Sequence, residues 1–97
     1  MAEGGRGVIS VASNIIPKEV HDFTQLGLNN EFDKMKEMHG KLEPLFLGLF
    51  VETNPQPVKA GLAMKGLIEE AYRLPMCEMM PENREKLKQL LTEHKIL

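Results

Sequence analysis

The side chains here with chemistry to offer are three histidines, one cysteine, a methionine cluster and a spread of carboxylates and lysines. His21, His39 and His94 lie far apart and share no metal-ligand spacing, so they read as surface or core-edge residues. Met76, Cys77, Met79 and Met80 form a group of soft donors of the kind that can hold Cu(I). With one thiol and no second cluster, they read instead as adaptable packing. Cys77 has no Cys-x-x-Cys partner and no helix start directly at it, so no reactive thiol is expected. Glu43, Glu52, Glu69 and Glu70 show no spacing that marks an acid–base pair and read as a solvated face. Glu52 stands apart, because it sits between the apolar Phe50-Val51 and a proline-rich break. A Schiff-base lysine needs a desolvated pocket. Lys34, Lys36, Lys41, Lys59, Lys65, Lys86 and Lys88 fall mostly on predicted helices without that context. Gly4, Gly5 and Gly7 precede a strand-like run, whereas a phosphate loop follows a strand and opens a helix.

The elements that carry these residues are mostly helical. Gly7 to Val11 is β-branched and nearly continuously apolar, which predicts a strand buried on both faces. It is the one convincing strand, and a lone buried strand leaves its backbone groups unpaired. Pro17 suits a first helical turn, carrying Val20 and Phe23 inward and stopping near Gly27. Asn30 is placed to cap the next helix, with Glu31 and Asp33 in its first turn. Phe32, Met35, Met38, Leu42, Leu45 and Leu49 then form a helical stripe, bent near Pro44. Asn54-Pro55-Gln56-Pro57 is an extended break, after which Pro57 opens a third helix with small residues Ala60, Gly61 and Ala63. Gly66 ends that helix or begins a further turn through Leu67 to Tyr72. Leu74-Pro75 starts a looser segment, and Pro81 opens a last helix with Leu87, Leu90 and Leu91 on one face. There Glu82 and Lys86 form a supporting pair, and Met80 stands where a capping Ser or Asp would serve better.

Composition sets wide bounds. The chain has 97 residues, 42% hydrophobic and 27% charged, with a net charge of −2. That is one small domain with a modest core. The interleaved charges give no footprint for nucleic acid or an anionic membrane. The longest apolar stretch, residues 44–51, is far too short to span a bilayer. The start has no basic segment leading into a long apolar run, so no signal peptide is expected. A single cysteine suits a reducing compartment, and the expected localisation is cytoplasmic.

Three stretches together resemble one family. Gly4 to Asn14, reading Gly-Gly-Arg-Gly-Val-Ile-Ser-Val-Ala-Ser-Asn, is similar to the last barrel strand of dihydrodipicolinate synthases. Phe50-Val51-Glu52-Thr53-Asn54-Pro55-Gln56-Pro57-Val58-Lys59 resembles the family's phenylalanine-valine-glutamate-x-asparagine-proline-x-proline-valine-lysine segment, and it is the specific motif. Arg73-Leu74-Pro75, followed by Glu82-Asn83-Arg84-Glu85-Lys86-Leu87, resembles its closing loop and terminal helix. Gln56 replaces a usually apolar residue, and Met80 replaces the usual cap.

The resemblance implies a mainly α chain, the carboxy-terminal fragment of a (β/α)₈ TIM barrel. Residues 1–16 would be the last strand and its loop, and residues 17–97 about four helices. The family condenses pyruvate with aspartate semialdehyde through a lysine Schiff base, in lysine biosynthesis. Ile9 resembles the strand-eight isoleucine whose backbone carbonyl lies by the pyruvate. The Schiff-base lysine, relay tyrosine, threonine pair, arginine and lysine-feedback residues belong to earlier strands and have no counterpart here. Tyr72 falls in a segment read as helical and is not the relay tyrosine. The expected chain therefore has no catalytic residue of its own and needs no metal or cofactor. It binds pyruvate only within a full barrel, and it pairs with itself or with the remainder of the barrel. Whether it is a piece of a longer chain or a truncated product is open. A self-standing helical module for oligomerisation or protein interaction is the rival reading.

Overall fold

The computed structural model describes residue 1 and residues 3–97. Four helices follow one another: α1 over Pro17–Leu28, α2 over Phe32–Gly48, α3 over Gln56–Met64 and α4 over Pro81–Glu93. A short 3-10 turn, Ala12–Asn14, leads into α1.

Proline places the helix starts. Pro17 and Pro81 are first residues of α1 and α4, and Pro57 is second in α3. There the missing N–H deprives the helix of nothing and the fixed φ is already helical. Three of the helix ends share one backbone geometry, with a left-handed residue just beyond the last turn. Asn30, Gly66 and Lys95 have φ of 59°, 77° and 58°. The next residue's N–H reaches back to the carbonyl five residues earlier: Glu31 to Leu26, Leu67 to Leu62, Ile96 to Leu91. These paired bonds satisfy carbonyls that a helix end leaves open. Asn30 does not cap α2, contrary to expectation. It closes α1 instead, because asparagine tolerates the left-handed region, and α2 starts from Glu31 with no side-chain cap.

The core joins α2 to α4. Leu42, Leu45 and Leu49 meet Leu87 and Leu91, with Val58 and Ala60 from α3, Val20 from α1, and Ala12, Ile15, Ile16 and Met79 around them. Helix α1 packs on α2, α3 packs on α4, and α2 touches α4 between the two pairs. Glycine sets two of the close approaches. At Gly48 a Cβ would run into Leu90, and at Gly61 it would lie 2.7 Å from Ile15 Cδ1 and 3.2 Å from Leu91 Cδ1. The expected stripe on α2 is therefore buried in its second half only. Phe32, Met35 and Met38 are half-buried. Pro44 lies within α2 without ending it. Both Pro44 and Gly40, whose carbonyl it leaves without an N–H, face solvent.

Two expected elements take another form. Residues 5–10 make no strand and run as an irregular stretch. A strand exists through its ladder, and no segment among the described residues lies alongside to supply one. Residues 67–72 do not continue α3, since the closure at Gly66 turns the chain away; Tyr72 lies in an irregular segment rather than a helix. The Cα radius of gyration is 14.4 Å, whereas a compact chain of this length has about 12.5 Å. Large apolar side chains also stand in solvent, among them Val8, Ile9, Leu47, Phe50, Leu67, Leu74 and Met80.

Candidate functional site

Ile9, the one residue for which the resemblance implied contact with substrate, sits on the irregular stretch with its side chain fully exposed. Just beyond it, Ala12, Ile15 and Ile16 anchor the chain in the core. Ser13 ties the bend together, its Oγ donating to the Ser10 carbonyl at 2.5 Å, and Asn14 Nδ2 donates to the Val11 carbonyl at 3.0 Å. Among the described residues nothing donates to the Ile9 carbonyl. Residues 9–12 face the end of α2, where Phe46, Leu49 and Phe50 complete the wall of a cavity of about 170 Å³.

Glu52 proves to be a cross-link. Its Oε2 accepts the Met80 backbone N–H at 2.9 Å and Asn83 Nδ2 at 3.0 Å. It thus occupies the first turn of α4, where a carboxylate meets unsatisfied N–H groups and the positive end of the helix dipole. It takes the N–H of Met80 itself, while the backbone N–H groups of Glu82 and Asn83 that a capping side chain would take receive no side-chain bond. Gln56, the departure from an apolar position, is buried and spends its amide on the Cys77 carbonyl at 2.7 Å.

A second polar cluster was not visible in the sequence, because its members lie on two separate segments. Arg84 on α4 donates from Nη1 to Glu70 Oε2, and the Tyr72 hydroxyl donates to the same oxygen at 3.1 Å. Lys59 Nζ stands 5.3 Å from the centre of the Tyr72 ring, a cation–π distance. The Arg84 hydrogen bond holds the Glu70 carboxyl below its ordinary value against the opposing effect of burial. Burial, then the bond to Glu70, push the Tyr72 phenol up to about 12. A carboxyl depressed in the folded state stabilises above its ordinary value of 4.5, and this contribution is lost as pH falls through the lower folded value. Arg84 is 37% exposed, so solvent screening keeps the effect to about 1 kcal/mol or less. Chemical denaturation of Glu70→Gln beside the parent chain is expected to show a stability gap at neutral pH that shrinks by about pH 3. An equal gap at both pH values would show that the ion pair contributes nothing.

The remaining candidates are structural. His39 stacks 6.0 Å from Phe23 and lies 6.1 Å from Phe46. His94 sets its two ring nitrogens against the Leu90 and Lys41 carbonyls at 2.9 and 3.1 Å, joining α4 to α2. Cys77 is exposed. Glu82 and Lys86 make no ion pair among the described residues. No lysine there is buried, and no three His, Cys, Asp or Glu residues gather as metal ligands. Among the described residues no helix is long and apolar enough to cross a membrane.

Comparison with known proteins accounts for this combination of a closed helical body and an open flank. The dihydrodipicolinate synthase from Aquifex aeolicus superposes with a TM-score of 0.96 at 44% identity, over 98% of this chain and 32% of that one. The 4-hydroxy-tetrahydrodipicolinate synthase of Hydrogenobaculum sp. (strain Y04AAS1) is 44% identical over 97 residues, 100% of this chain and 33% of its own length. That of Koribacter versatilis (strain Ellin345) is 48% identical over all of this chain and 32% of its own length. The fold is thus the mainly helical, carboxy-terminal portion of a (β/α)₈ barrel. The profile of the Dihydrodipicolinate synthetase family matches residues 1–94, and the chain belongs to that family. It spans about a third of the length of these relatives.

Proposed function

We propose that the chain serves as the carboxy-terminal part of a lyase that condenses pyruvate with aspartate semialdehyde through a lysine Schiff base, in cytoplasmic lysine biosynthesis. Residues 1–16 supply the last strand and its loop, residues 17–97 the helices outside the barrel. Ile9 contributes its backbone carbonyl beside the pyruvate. A relative from Acinetobacter baumannii, 34% identical, has been crystallised with pyruvate. The observation that carries this reading is the match of the whole chain, Ile9 segment included, to a third of each relative.

Alone, the chain is catalytically silent. Covalent catalysis needs an activated lysine in a dry pocket, and every lysine among the described residues is at least partly open to solvent. Incubation with pyruvate and borohydride, then intact mass measurement, is expected to leave the mass unchanged. A stoichiometric pyruvyl adduct on one lysine would overturn this. Replacing the carboxy-terminal third of the Aquifex aeolicus enzyme with this chain is expected to give a chimera that forms the adduct and turns over. The rival reading, a self-standing helical interaction module, draws on the well-filled core between α2 and α4. An inactive but folded chimera would favour it.

A further inference from the structure

We propose that residues 7–11 are a docking segment that takes up the rest of a barrel even when it comes as a separate chain, with no covalent link between the two. This deepens the proposed function by naming a partner, and it rests on that reading only where catalysis is the readout. Among the described residues no hydrogen bond engages the backbone of Gly5 to Ile9, so the donors and acceptors on both edges are free. Successive side chains of an extended chain point to opposite faces, and Val8 and Ile9 are both exposed, so neither face is covered. The segment is nonetheless anchored. Its far end is held by the bonds of Ser13 to Ser10 and of Asn14 to Val11, and by the buried Ala12, Ile15 and Ile16. The Aquifex aeolicus enzyme superposes over 98% of the chain's 97 residues, all but about two, so the segment follows its path in a closed barrel although no ladder holds it there. A segment already on its bound path loses little further freedom on docking.

The two free edges decide between partners. A second copy offers one such segment, pairs one edge and leaves the other open. Eight strands close a barrel and abolish its edges, so the seven that lie outside this chain flank a gap one strand wide, with an edge on each side. The relatives extend about two thirds of their length beyond this chain, the length such a remainder needs. The cavity of about 170 Å³ between residues 9–12 and Phe46, Leu49 and Phe50 gives the same partner apolar room beside the segment.

The test mixes this chain with the Aquifex aeolicus enzyme shortened by its carboxy-terminal third. The two are expected to sediment as a one-to-one complex, about tenfold or more tighter than the chain binds itself. Exchange at the Val8, Ile9 and Ser10 amides is expected to slow about a hundredfold on mixing. Val8→Lys/Ile9→Glu, which changes exposed side chains and whose fold is checked by circular dichroism, is expected not to bind. Equal binding of parent and variant would put the contact on the helices and overturn the proposal. So would two pieces that stay apart although the chimera joining them folds. Should the shortened enzyme aggregate alone, co-expression with this chain is expected to bring it into the soluble fraction; a fragment left insoluble beside a soluble chimera again counts against docking. Pyruvate and borohydride are expected to label the shortened enzyme within the complex, and not this chain. A complex that forms but takes no label would sink the catalytic reading and leave the docking standing.

Discussion

Leu45→Asp is expected to unfold the chain or come close to it. Leu45 is fully buried where α2 meets the other helices. The substitution removes an apolar side chain of about 2 kcal/mol transfer value and puts an unpaired carboxylate in its place. Buried ions without a partner are among the few changes that cost roughly 4 kcal/mol or more, against a total of about 5–15 kcal/mol for a domain. Leu47, two residues along, is 67% exposed, and Leu47→Asp is expected to stay within about 0.5 kcal/mol. Thermal melts monitored by circular dichroism distinguish the two. A Leu45→Asp chain melting with the parent would mean that the packing of α2 is wrong.

The second large effect concerns self-association. Residues 7–10 are an apolar segment with no ladder, and Val8 and Ile9 stand in solvent beside the partly open wall at Phe50. An unpaired, β-branched segment is a template for pairing with another chain, and two-fold pairing of one patch with its copy is the commonest closed arrangement. The intact chain is therefore expected to form a dimer near about micromolar concentration, roughly −8 kcal/mol of association. A Val8→Lys/Ile9→Glu variant is expected to sediment as a monomer. This pair is a cleaner test than truncation to Asn14, which would also remove the buried Ala12. Equal sedimentation of parent and variant up to about a hundredfold higher concentration would dispose of the idea.

Helix boundaries and the lower half of the α2 stripe are legible in the sequence, since proline, glycine and the recurrence of leucine act locally. Pro17, Pro81 and Gly66 stand at element ends as their chemistry requires. Asn30 is misread because an asparagine between two helices serves equally as the end of one or the cap of the next. The geometry that decides, a backbone bond from Glu31 to Leu26, depends on how α1 and α2 dock. The strand at residues 7–11 is written in the side chains, but a strand is a relation between segments, and among the described residues no second one lies beside it. Glu52 carries a hint in its setting between apolar residues and prolines. Its partners at positions 80 and 83, like the Arg84–Glu70–Tyr72 cluster, come from sequence separations that no local pattern encodes.

The two helix pairs, α1 with α2 and α3 with α4, are each joined by neighbours in the chain. The link between α1 and α2 is short, residues 29–31, whereas residues 65–80 part α3 from α4; contacts of the first kind form in roughly microseconds to milliseconds. A barrel strand must wait for partners far away along the polypeptide. The α1–α2 half has no such wait: it can assemble as a hairpin and then meet α4 through Leu45, Leu49, Leu87 and Leu91. On the time axis, the α1–α2 hairpin is expected to be finished first, ahead of the docking of α4.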